Sequence, residues 1–473
     1  RSLGLLNREE ADHPGTLDCH PLVRQYFGAR LEELHPASWQ QAHARLYEYF
    51  KALPEKELPD TLEEMESLFA AVRHGCAAGL HQQALDAVYW SRIRHSNDNY
   101  LCRKLGAFAA DLSVLAHFFA HPWHTPAPSL TDADKAVVLN WAAFGLRGLG
   151  RLAEAAKPMQ AAVAMFSRQE NWKQAAINAS NLSELLLTIG KVDRAVAAGQ
   201  QSVELADRSE DAAWRMLSRT TLADALHQAG EQDEARALFA QAEQLQQERK
   251  PEYDRLYSLQ GFQYCDLLLG LGQWQEVRER ATQTLEWAKR HGGLLNIALD
   301  QLSLGRAALQ EALTQAGLPP AAGLAPDLAC VSLPDSATAA ASRTGESLQH
   351  AKDRLDQAVA GLREAGEEEF IARGLLARAA WCRWAIVLLK QADALTQALQ
   401  DLQETEEIAQ RGGMRLHLID FHLEVARLAL TAGQDILGRT PAEHLAAAKK
   451  GIDETGYNRR LPEVANIEEA LEG

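Results

Sequence analysis

The stretch AGEQDEA, residues 229–235, ends one amphipathic segment with a glycine and begins the next with an alanine one turn in. The same pattern recurs as LGRLAEA from Leu149, IGKVDRA from Ile189 and LGQWQEV from Leu271. Its glycines stand at positions 150, 190, 230 and 272, which are 40, 40 and 42 residues apart. Such a spacing is typical of a repeat protein, in which each unit packs on its neighbours instead of around a single core.

The segments on both sides of these glycines have the pattern of amphipathic helices. QAAINASNLSELLLTIG and RMLSRTTLADALHQAG carry apolar residues at spacings of three and four, and KVDRAVAAGQQSVELADRS follows a turn as a second helix. Glycine suits the turn because it adopts a left-handed backbone without steric cost. The small residues Ala195 and Ala235 stand where the two helices should cross closely. The sequence therefore predicts an α-solenoid of helical hairpins.

The hairpin length, the small residues and the glycine five residues before alanine resemble tetratricopeptide repeats of a lengthened kind, most clearly over residues 133–290. This resemblance implies an all-α fold, a right-handed α-solenoid of tetratricopeptide-like helical hairpins. The turn AGLHQQA predicts an earlier hairpin over 62–95, and later first helices are expected over 370–390 and 414–432. Residues 316–344, rich in Pro, Ala, Ser and Gly, are predicted to form an insertion at a hairpin tip.

These patterns divide the chain into five predicted segments. They are an N-terminal helical element resembling the end of a winged helix, irregular hairpins, regular repeats, further repeats that contain the insertion, and a C-terminal cap. Their predicted bounds are 1–60, 61–130, 131–292, 293–455 and 456–473.

The composition argues against several classes of function. A formal net charge of −16 over 473 residues opposes a broad nucleic-acid or anionic-membrane surface, which would need a basic patch. No apolar run has the length of a membrane span, and the N-terminal residues lack the apolar core of a signal peptide. The six cysteines are scattered without a CxxC pair, so we expect no disulfide framework, no zinc knuckle and a cytoplasmic location.

The N-terminal stretch CHPLVRQYFGARLEE, residues 19–33, precedes the repeats. It resembles a segment at the end of the winged-helix element in STAND signalling ATPases, in which a NACHT- or NB-ARC-like core is followed by a repeat sensor. The matching residues are His20, Pro21, Leu22, Val23, Arg24, Tyr26 and Phe27. An alternative interpretation is an amphipathic helix that buries Leu22, Val23, Tyr26 and Phe27.

Further stretches extend this resemblance over most of the chain. NLSELLLTIG, SRTTLADALHQAG, YSLQGFQYCDLLL and the closing GYNRRLPEVANIEEAL are similar to the C-terminal sensor arrays of bacterial STAND proteins. The resemblance implies a detector that controls an upstream nucleotide-binding domain and an effector, as in antiviral defence. The chain itself has no GxxxxGK[ST] loop, no GxSxG and no HExxH. We therefore expect no enzymatic activity and no cofactor of its own, and the start at Arg1 suggests a fragment.

One histidine cluster has a metal-like spacing. His117 and His121 are four residues apart, and His124 follows a proline. Imidazoles at this spacing on a helix can share a zinc ion. The competing interpretation, which we favour, is a half-buried helix end beside Phe118 and Trp123, because no acidic or cysteine fourth ligand stands nearby.

A column of charged residues is predicted on the concave surface, which first helices line in tetratricopeptide arrays. Counting back six from the turn glycines gives Glu184, Asp224 and Asp266, and the later units give Arg306 and Arg427. We therefore expect the groove to change from acidic to basic along its length, so that the acidic part accepts a basic segment of a partner and the arginines accept carboxylates or phosphates. The alternatives are ordinary solvated charges, or an ion pair between Asp266 and Arg306.

Aromatic and arginine side chains supply a second set of candidate partner-binding residues, because both types anchor many interfaces. Trp214, Arg378 and Trp381 lie on or near predicted first helices. Trp384 follows Trp381 by three residues, so the two tryptophans can share a helix face with Arg378. The alternative is that these aromatic residues belong to the core.

The sequence favours a non-catalytic sensor that binds a protein or peptide in its concave groove as part of a STAND-type ATPase. A ligand would act by binding the active arrangement more tightly than the inactive one. The rival is a passive scaffold that holds two partners together. A resemblance to sugar-sensing STAND transcription regulators keeps a small-molecule ligand as a further alternative, and no basic helix-turn-helix supports DNA binding.

Overall fold

A computed structural model describes residues 20–291, 293–318 and 339–472. The chain divides into two compact units, Arg1–Met165 and Phe166–Gly473, here called unit 1 and unit 2. The division falls inside a helix within the predicted regular repeats. No helix in the described ranges is both long and apolar enough to cross a membrane.

In its described residues, unit 1 consists of helices of unequal length with one two-stranded antiparallel sheet. Its α-helices and strands are α1 (Pro21–Leu34), α2 (Pro36–Lys51), α3 (Glu66–Ala77), α4 (His81–Ala84), α5 (Tyr100–Arg103), α6 (Phe108–Leu115), β1 (Phe119–His121), β2 (Thr125–Pro126), α7 (Asp132–Gly148) and α8 (Leu152–Arg168), the last of which contains the division. A π-helix, Leu85–Ile93, follows α4, and 3₁₀ turns span Glu63–Met65, Ser96–Asp98 and Ala116–Phe118.

Helix α1 does not bury its apolar side chains. Leu22, Tyr26 and Phe27 are all more than half exposed, and Val23 is half-buried. The alternative interpretation of this stretch as an amphipathic helix packed on a core is therefore wrong for the structure, because the helix has no buried residue.

Unit 2 is a series of antiparallel helical hairpins, which confirms the predicted helical-repeat fold. After α8, its first helices alternate with second helices in the order α9 (Trp172–Thr188), α10 (Val192–Ser209), α11 (Ala212–Ala229), α12 (Gln232–Arg249), α13 (Ser258–Gly270), α14 (Trp274–His291), α15 (Leu294–Gln315), α16 (Ala339–Ala365), α17 (Glu368–Leu389), α18 (Ala394–Arg411), α19 (Arg415–Ala432) and α20 (Pro441–Thr455). A 3₁₀ turn, Asn458–Arg460, and α21 (Leu461–Glu472) end the chain.

The recurring glycines terminate helices as the spacing predicts. Gly190 and Gly230 have φ of 71° and 95°, in the left-handed region where a side chain would be strained. Their amides bond back to the last turn of the preceding helix. The next helix then starts within two residues, so the glycine fixes the tight reversal of each hairpin.

The core runs along the interface between successive hairpins. Ala195 and Ala235 are fully buried at the predicted helix crossings. Buried apolar residues from neighbouring hairpins form continuous clusters, one around Phe239 and Leu268 and another around Leu302 and Leu355. Each hairpin buries its apolar face on the next one, so contacts between successive hairpins stabilise the array.

The predicted insertion at 316–344 is shorter than expected at its C-terminal end. Helix α16 already begins at Ala339, and α15 ends at Gln315, next to the predicted start of the insertion. Residues 319–338, the remainder of this prediction, lie outside the described residues.

The hairpin α15–α16 offers a test of this close packing. A Cβ added to Gly305 would lie 2.8 Å from Leu355 Cγ and 3.2 Å from the Leu355 backbone nitrogen, whereas nothing lies within 4 Å of a Cβ added to Gly345 on α16. We expect Gly305→Ala to lower the free energy of unfolding by about 1–3 kcal/mol through overpacking.

Gly345→Ala is the matched control in the same hairpin. It should leave stability unchanged or raise it by up to about 1 kcal/mol, because alanine favours helix over glycine. Urea unfolding followed by circular dichroism measures both changes, and equal midpoints for the two variants would contradict the packing described here.

Candidate functional site

The C-terminal end of unit 2 returns to its first repeats. A Cβ on Gly190, in the turn after α9, would lie 2.8 Å from side chains of Arg415 and Thr455. A Cβ on Gly230, after α11, would lie 3.4 Å from Asn458. We call residues 457–466 the closing segment, because they extend from the last hairpin to α11 and α13 across the concave surface.

Arg459 joins the closing segment to these first helices. Its Nη1 donates to Asp266 Oδ2 at 2.7 Å and to Gln228 Oε1 at 3.0 Å, and it lies 3.3 Å from His227 Nδ1. Asp266 also receives Arg306 Nη2 on its other oxygen at 2.7 Å. Burial alone would raise the pKa of Asp266, but Arg459 and Arg306 outweigh it and hold that pKa well below its ordinary value.

Neighbouring groups on α11 are buried, and burial shifts the pKa of His227 and of Asp224 toward the neutral form of each. Burial, and then the positive charge of Arg459, lower the pKa of His227 well below its ordinary value, so this imidazole is neutral near pH 7. Asp224 accepts hydrogen bonds from Gln228 Nε2 at 2.6 Å and Gln263 Nε2 at 3.2 Å. Burial raises the pKa of Asp224, although the charge of Arg373 acts in the opposite direction.

A second set of ion pairs holds the closing segment against α19. Arg460 Nε donates to Asp420 Oδ1 at 2.7 Å, and Arg460 Nη1 also pairs with Glu463. Arg427 pairs with the other oxygen of Glu463, and its Nη1 lies 3.4 Å from Glu424 Oε2. Burial would raise the pKa of Glu463, but Arg460 and Arg427 lower it to about 2.

Helix α17 completes this polar region on the opposite side. Arg373 Nη2 lies 3.4 Å from Glu369 Oε1 in the same helix. Arg383, fully buried, donates from Nε to Glu424 Oε1 at 2.7 Å. Glu424 therefore lies between two guanidinium groups, as Asp266 does.

These groups surround a cavity of about 270 Å³ on the concave side of unit 2. Helices α11, α13, α15, α17 and α19 all contribute to its wall, together with the closing segment. Guanidinium groups of five arginines line it, namely Arg306, Arg373, Arg427, Arg459 and Arg460. Apolar wall residues include Leu269, Leu309 and Leu423. The cavity thus combines charged and apolar surface in one partly open space.

Another depression, of about 650 Å³, lies over the outer side of α14 beside Trp287. Apart from Arg255, its lining residues belong to that single helix. Because its wall comes largely from one helix surface, it is a shallow surface feature, and we place the candidate site in the concave cavity.

The structure brings together four of the eight sequence-predicted site residues. Asp266, Arg306 and Arg427 line the cavity, and Asp224 is buried near its wall. Asp266 and Arg306 form the ion pair that was one of the alternatives. Glu184 on α9 and Trp214 on α11 are half-buried and do not line it.

Two predicted residues face the outer helices, which corrects their placement on the concave surface. Arg378 donates to Asp401 on α18 at 2.7 and 2.8 Å and to Asp356 on α16 at 3.2 Å. Trp381 is buried, and its Nε1 donates to the Leu348 carbonyl on α16 at 2.8 Å. Both side chains therefore serve hairpin packing.

Sequence reasoning missed Arg373, His417, Arg459, Arg460 and Glu463. The pattern GYNRRLPE contained a usable indication, since it holds the only two adjacent arginines in the sequence. Arg373 and His417 had no such indication, because each is one polar residue within an amphipathic helix.

The histidines considered for zinc do not share a helix. His117 lies in a 3₁₀ turn that ends at Phe118, and His121 belongs to strand β1. Within the described ranges, no group of three or more His, Cys, Asp or Glu side chains is placed to hold a metal ion.

The buried Asp266 pairs predict a pH-dependent loss of stability. Asp266→Asn leaves Arg306 and Arg459 without their carboxylate, so we expect the free energy of unfolding to fall by about 3 kcal/mol or more near pH 7. The folded-state pKa of Asp266 is lowered, so its stabilisation is complete above the unfolded value, about 3.9, and is lost as pH falls through the folded value. The difference between wild type and variant should therefore narrow below about pH 4.

Asp207→Asn is the matched control, because Asp207 also lies between two arginines, Arg215 and Arg219, but is 41% exposed. Asp207→Asn should lower the free energy of unfolding by less than about 1 kcal/mol. Chemical denaturation at several pH values measures both, and equal losses at pH 7 would contradict the role of Asp266 in joining the ends of unit 2.

Comparisons with known proteins give distant structural likenesses. No family model and no curated protein matches the chain. It is similar to the crystal structure of the STAND protein with a tetratricopeptide repeat sensor PH0952 from Pyrococcus horikoshii, with 13% identity and a TM-score of 0.40 over 98% of this chain and 58% of that one. It is also similar to a circular tandem repeat protein with novel repeat topology and enhanced subunit contact surfaces, with 16% identity and a TM-score of 0.23. That match covers 95% of this chain and 90% of the other.

The chain thus spans 58% of the length of the signalling ATPase that it matches. At these scores neither likeness assigns a family, and the helical-repeat fold is defined by the hairpins of the chain itself.

Proposed function

We propose that unit 2 is a ligand-recognition module whose ligand binds in the concave cavity, and that the chain is the non-catalytic sensor region of a STAND-type signalling ATPase. The cavity is the observation that supports this proposal. Five successive first helices and the closing segment each contribute polar side chains to one cavity. Convergent polar groups in an apolar-walled cavity are typical of small-molecule sites.

The closing segment favours a compact ligand over a long peptide. An extended partner in the predicted groove would need access to Asp266, but that carboxylate is buried and occupied by Arg306 and Arg459. Displacing Arg459 would leave buried charges unpaired, which is costly. The remaining space is the cavity, so the small-molecule alternative becomes the leading one.

The position of the site suggests how binding would be transmitted. The cavity wall includes both the early helices α11 and α13 and the closing segment at the end of the chain. A ligand that contacts both favours the closed arrangement over an opened one, and it shifts the equilibrium by its difference in affinity for the two. In a STAND-type protein this shift would control the nucleotide-binding domain.

A passive scaffold is the rival function. It would hold protein partners on outer surfaces and would not need a polar cavity between its first helices. The two functions differ in whether filling the cavity abolishes recognition.

The test fills the cavity and asks for the loss of a bound small molecule. Ala377 lies on the cavity wall one turn from Arg373, so Ala377→Phe should fill part of the space. Native mass spectrometry of the chain with a low-molecular-weight filtrate of cell extract should show a bound compound with wild type and none with Ala377→Phe.

Ala237→Phe, at an exposed position on α12, is the matched control and should bind as wild type does. Thermal unfolding of each variant establishes that it is folded. Equal retention of the compound by Ala377→Phe, or no bound compound with wild type, would count against a ligand in this cavity and favour the scaffold.

A further inference from the structure

We propose that the cavity binds a compact oxyanion, a phosphorylated or multiply carboxylated small molecule, through the guanidinium groups of Arg306, Arg373 and Arg460. This inference rests on the proposed function and adds the chemical class of the ligand. It follows from which charges remain open to the cavity, which donors lack partners, and how much space is available.

The open charge in the cavity is mainly positive. The side chains of Arg306, Arg373 and Arg460 are 28%, 26% and 20% exposed. The carboxylates of Asp266 and Glu424 lie deeper, at 5% and 7%. A ligand entering the cavity therefore meets guanidinium groups before it meets these carboxylates.

The other acidic groups around the cavity are already engaged. Asp420 and Glu463, both about 16–17% exposed, are paired with Arg460, and Glu463 also with Arg427. Asp224 is buried under two amide donors. Glu369 receives Arg373 and Thr188 at 3.4 Å, outside the cavity wall. These carboxylates reduce the net positive charge but leave few oxygen atoms for a cationic ligand.

Arg373 has unused hydrogen-bonding capacity. Its ion pair with Glu369 is long, at 3.4 Å, and joins residues of one helical turn. Its Nε is buried without a hydrogen-bond acceptor among the described residues. By comparison, Arg378 on the same helix makes ion pairs at 2.7 and 3.2 Å with two carboxylates. A guanidinium with free donors is suited to a two-oxygen contact with phosphate or carboxylate.

His417 is a second, independent indication of a ligand. It lines the cavity, is only 4% exposed, and neither of its ring nitrogens has a partner in the described structure. Burial and the charge of Arg373 lower its pKa, so the neutral ring has one donor and one acceptor. Buried polar groups are ordinarily hydrogen-bonded, so an unpartnered one beside a cavity points to a missing ligand.

The size and remaining wall of the cavity limit the ligand further. A volume of about 270 Å³ lies just below the usual range for small-molecule sites, about 300–1,000 Å³, so the ligand must be small. Leu309 and Leu423 provide apolar contact for a short carbon skeleton, and the unpartnered Gln310 Oε1 can accept from a hydroxyl group. A nucleic acid or an extended peptide does not fit this space.

The experiment titrates the chain with inorganic phosphate, citrate and glucose at constant ionic strength, by isothermal calorimetry. We expect phosphate or citrate to bind and glucose not to bind. Stronger binding of phosphate indicates a phosphorylated ligand, and stronger binding of citrate indicates a carboxylated one.

Three variants test the residues. Arg373→Gln should weaken anion binding by about tenfold or more, since it removes a charge-assisted hydrogen bond. Arg373→Lys should have an intermediate anion affinity, because lysine keeps the charge but cannot form a bidentate hydrogen bond. Arg411→Gln removes the same charge at a 64% exposed position on α18 and should bind as wild type does.

Binding of neither anion, or equal binding by wild type and Arg373→Gln, would overturn the inference. The proposed function fails separately. If the compound displaced by Ala377→Phe is uncharged, the cavity remains a ligand site while the oxyanion assignment falls, and if Ala377→Phe changes nothing, both fall.

Discussion

The arrangement of unit 2 depends on one buried carboxylate that lies between two guanidinium groups. Asp266 on α13 receives Arg306 from the next repeat and Arg459 from a position 193 residues further along the chain. The first pair is a contact between neighbours, as any repeat array contains. The second joins distant parts of the array, and it fixes the closing segment over the concave surface. Removing the Asp266 carboxylate from water is costly, and the charges of Arg459 and Arg306 offset that cost and favour its ionised form.

Because of this long-range ion pair, the stability of unit 2 depends on contacts between distant repeats as well as between neighbours. In an open solenoid each unit contacts only its neighbours, so stability is close to a sum of local contributions. In unit 2 the turn glycines Gly190 and Gly230 also approach the last hairpin and the closing segment. These glycines therefore serve two purposes, ending a helix and leaving room for a distant part of the chain. The cavity exists because the closing segment covers the concave surface without filling it.

The sequence predicted what local periodicity can determine. The glycine spacing identified the hairpins, and counting along first helices found Asp224, Asp266, Arg306 and Arg427 near the cavity. The same counting also gave Glu184, which does not line the cavity. The choice of arginine and aromatic anchors failed for Arg378, which is one residue beyond Ala377 and so points about 100° away, toward the outer helices. Local pattern also could not place Arg459 at Asp266, because a pairing over 193 residues leaves no periodic trace. His417 and Arg373 became candidates only from the structure, which shows that their buried nitrogen atoms lack hydrogen-bond partners.

Closure by the C-terminal residues has a mechanical consequence. An open helical solenoid under tension lengthens gradually, as a spring does, since each interface yields a little. In unit 2, tension between the first and last hairpins would act first on the polar pairs that Arg459 forms with Asp266 and Gln228. Little extension is available until those pairs break together, and the array beyond them is then free to lengthen. Unit 2 would therefore extend little until the force reaches a threshold, and it would then lengthen abruptly.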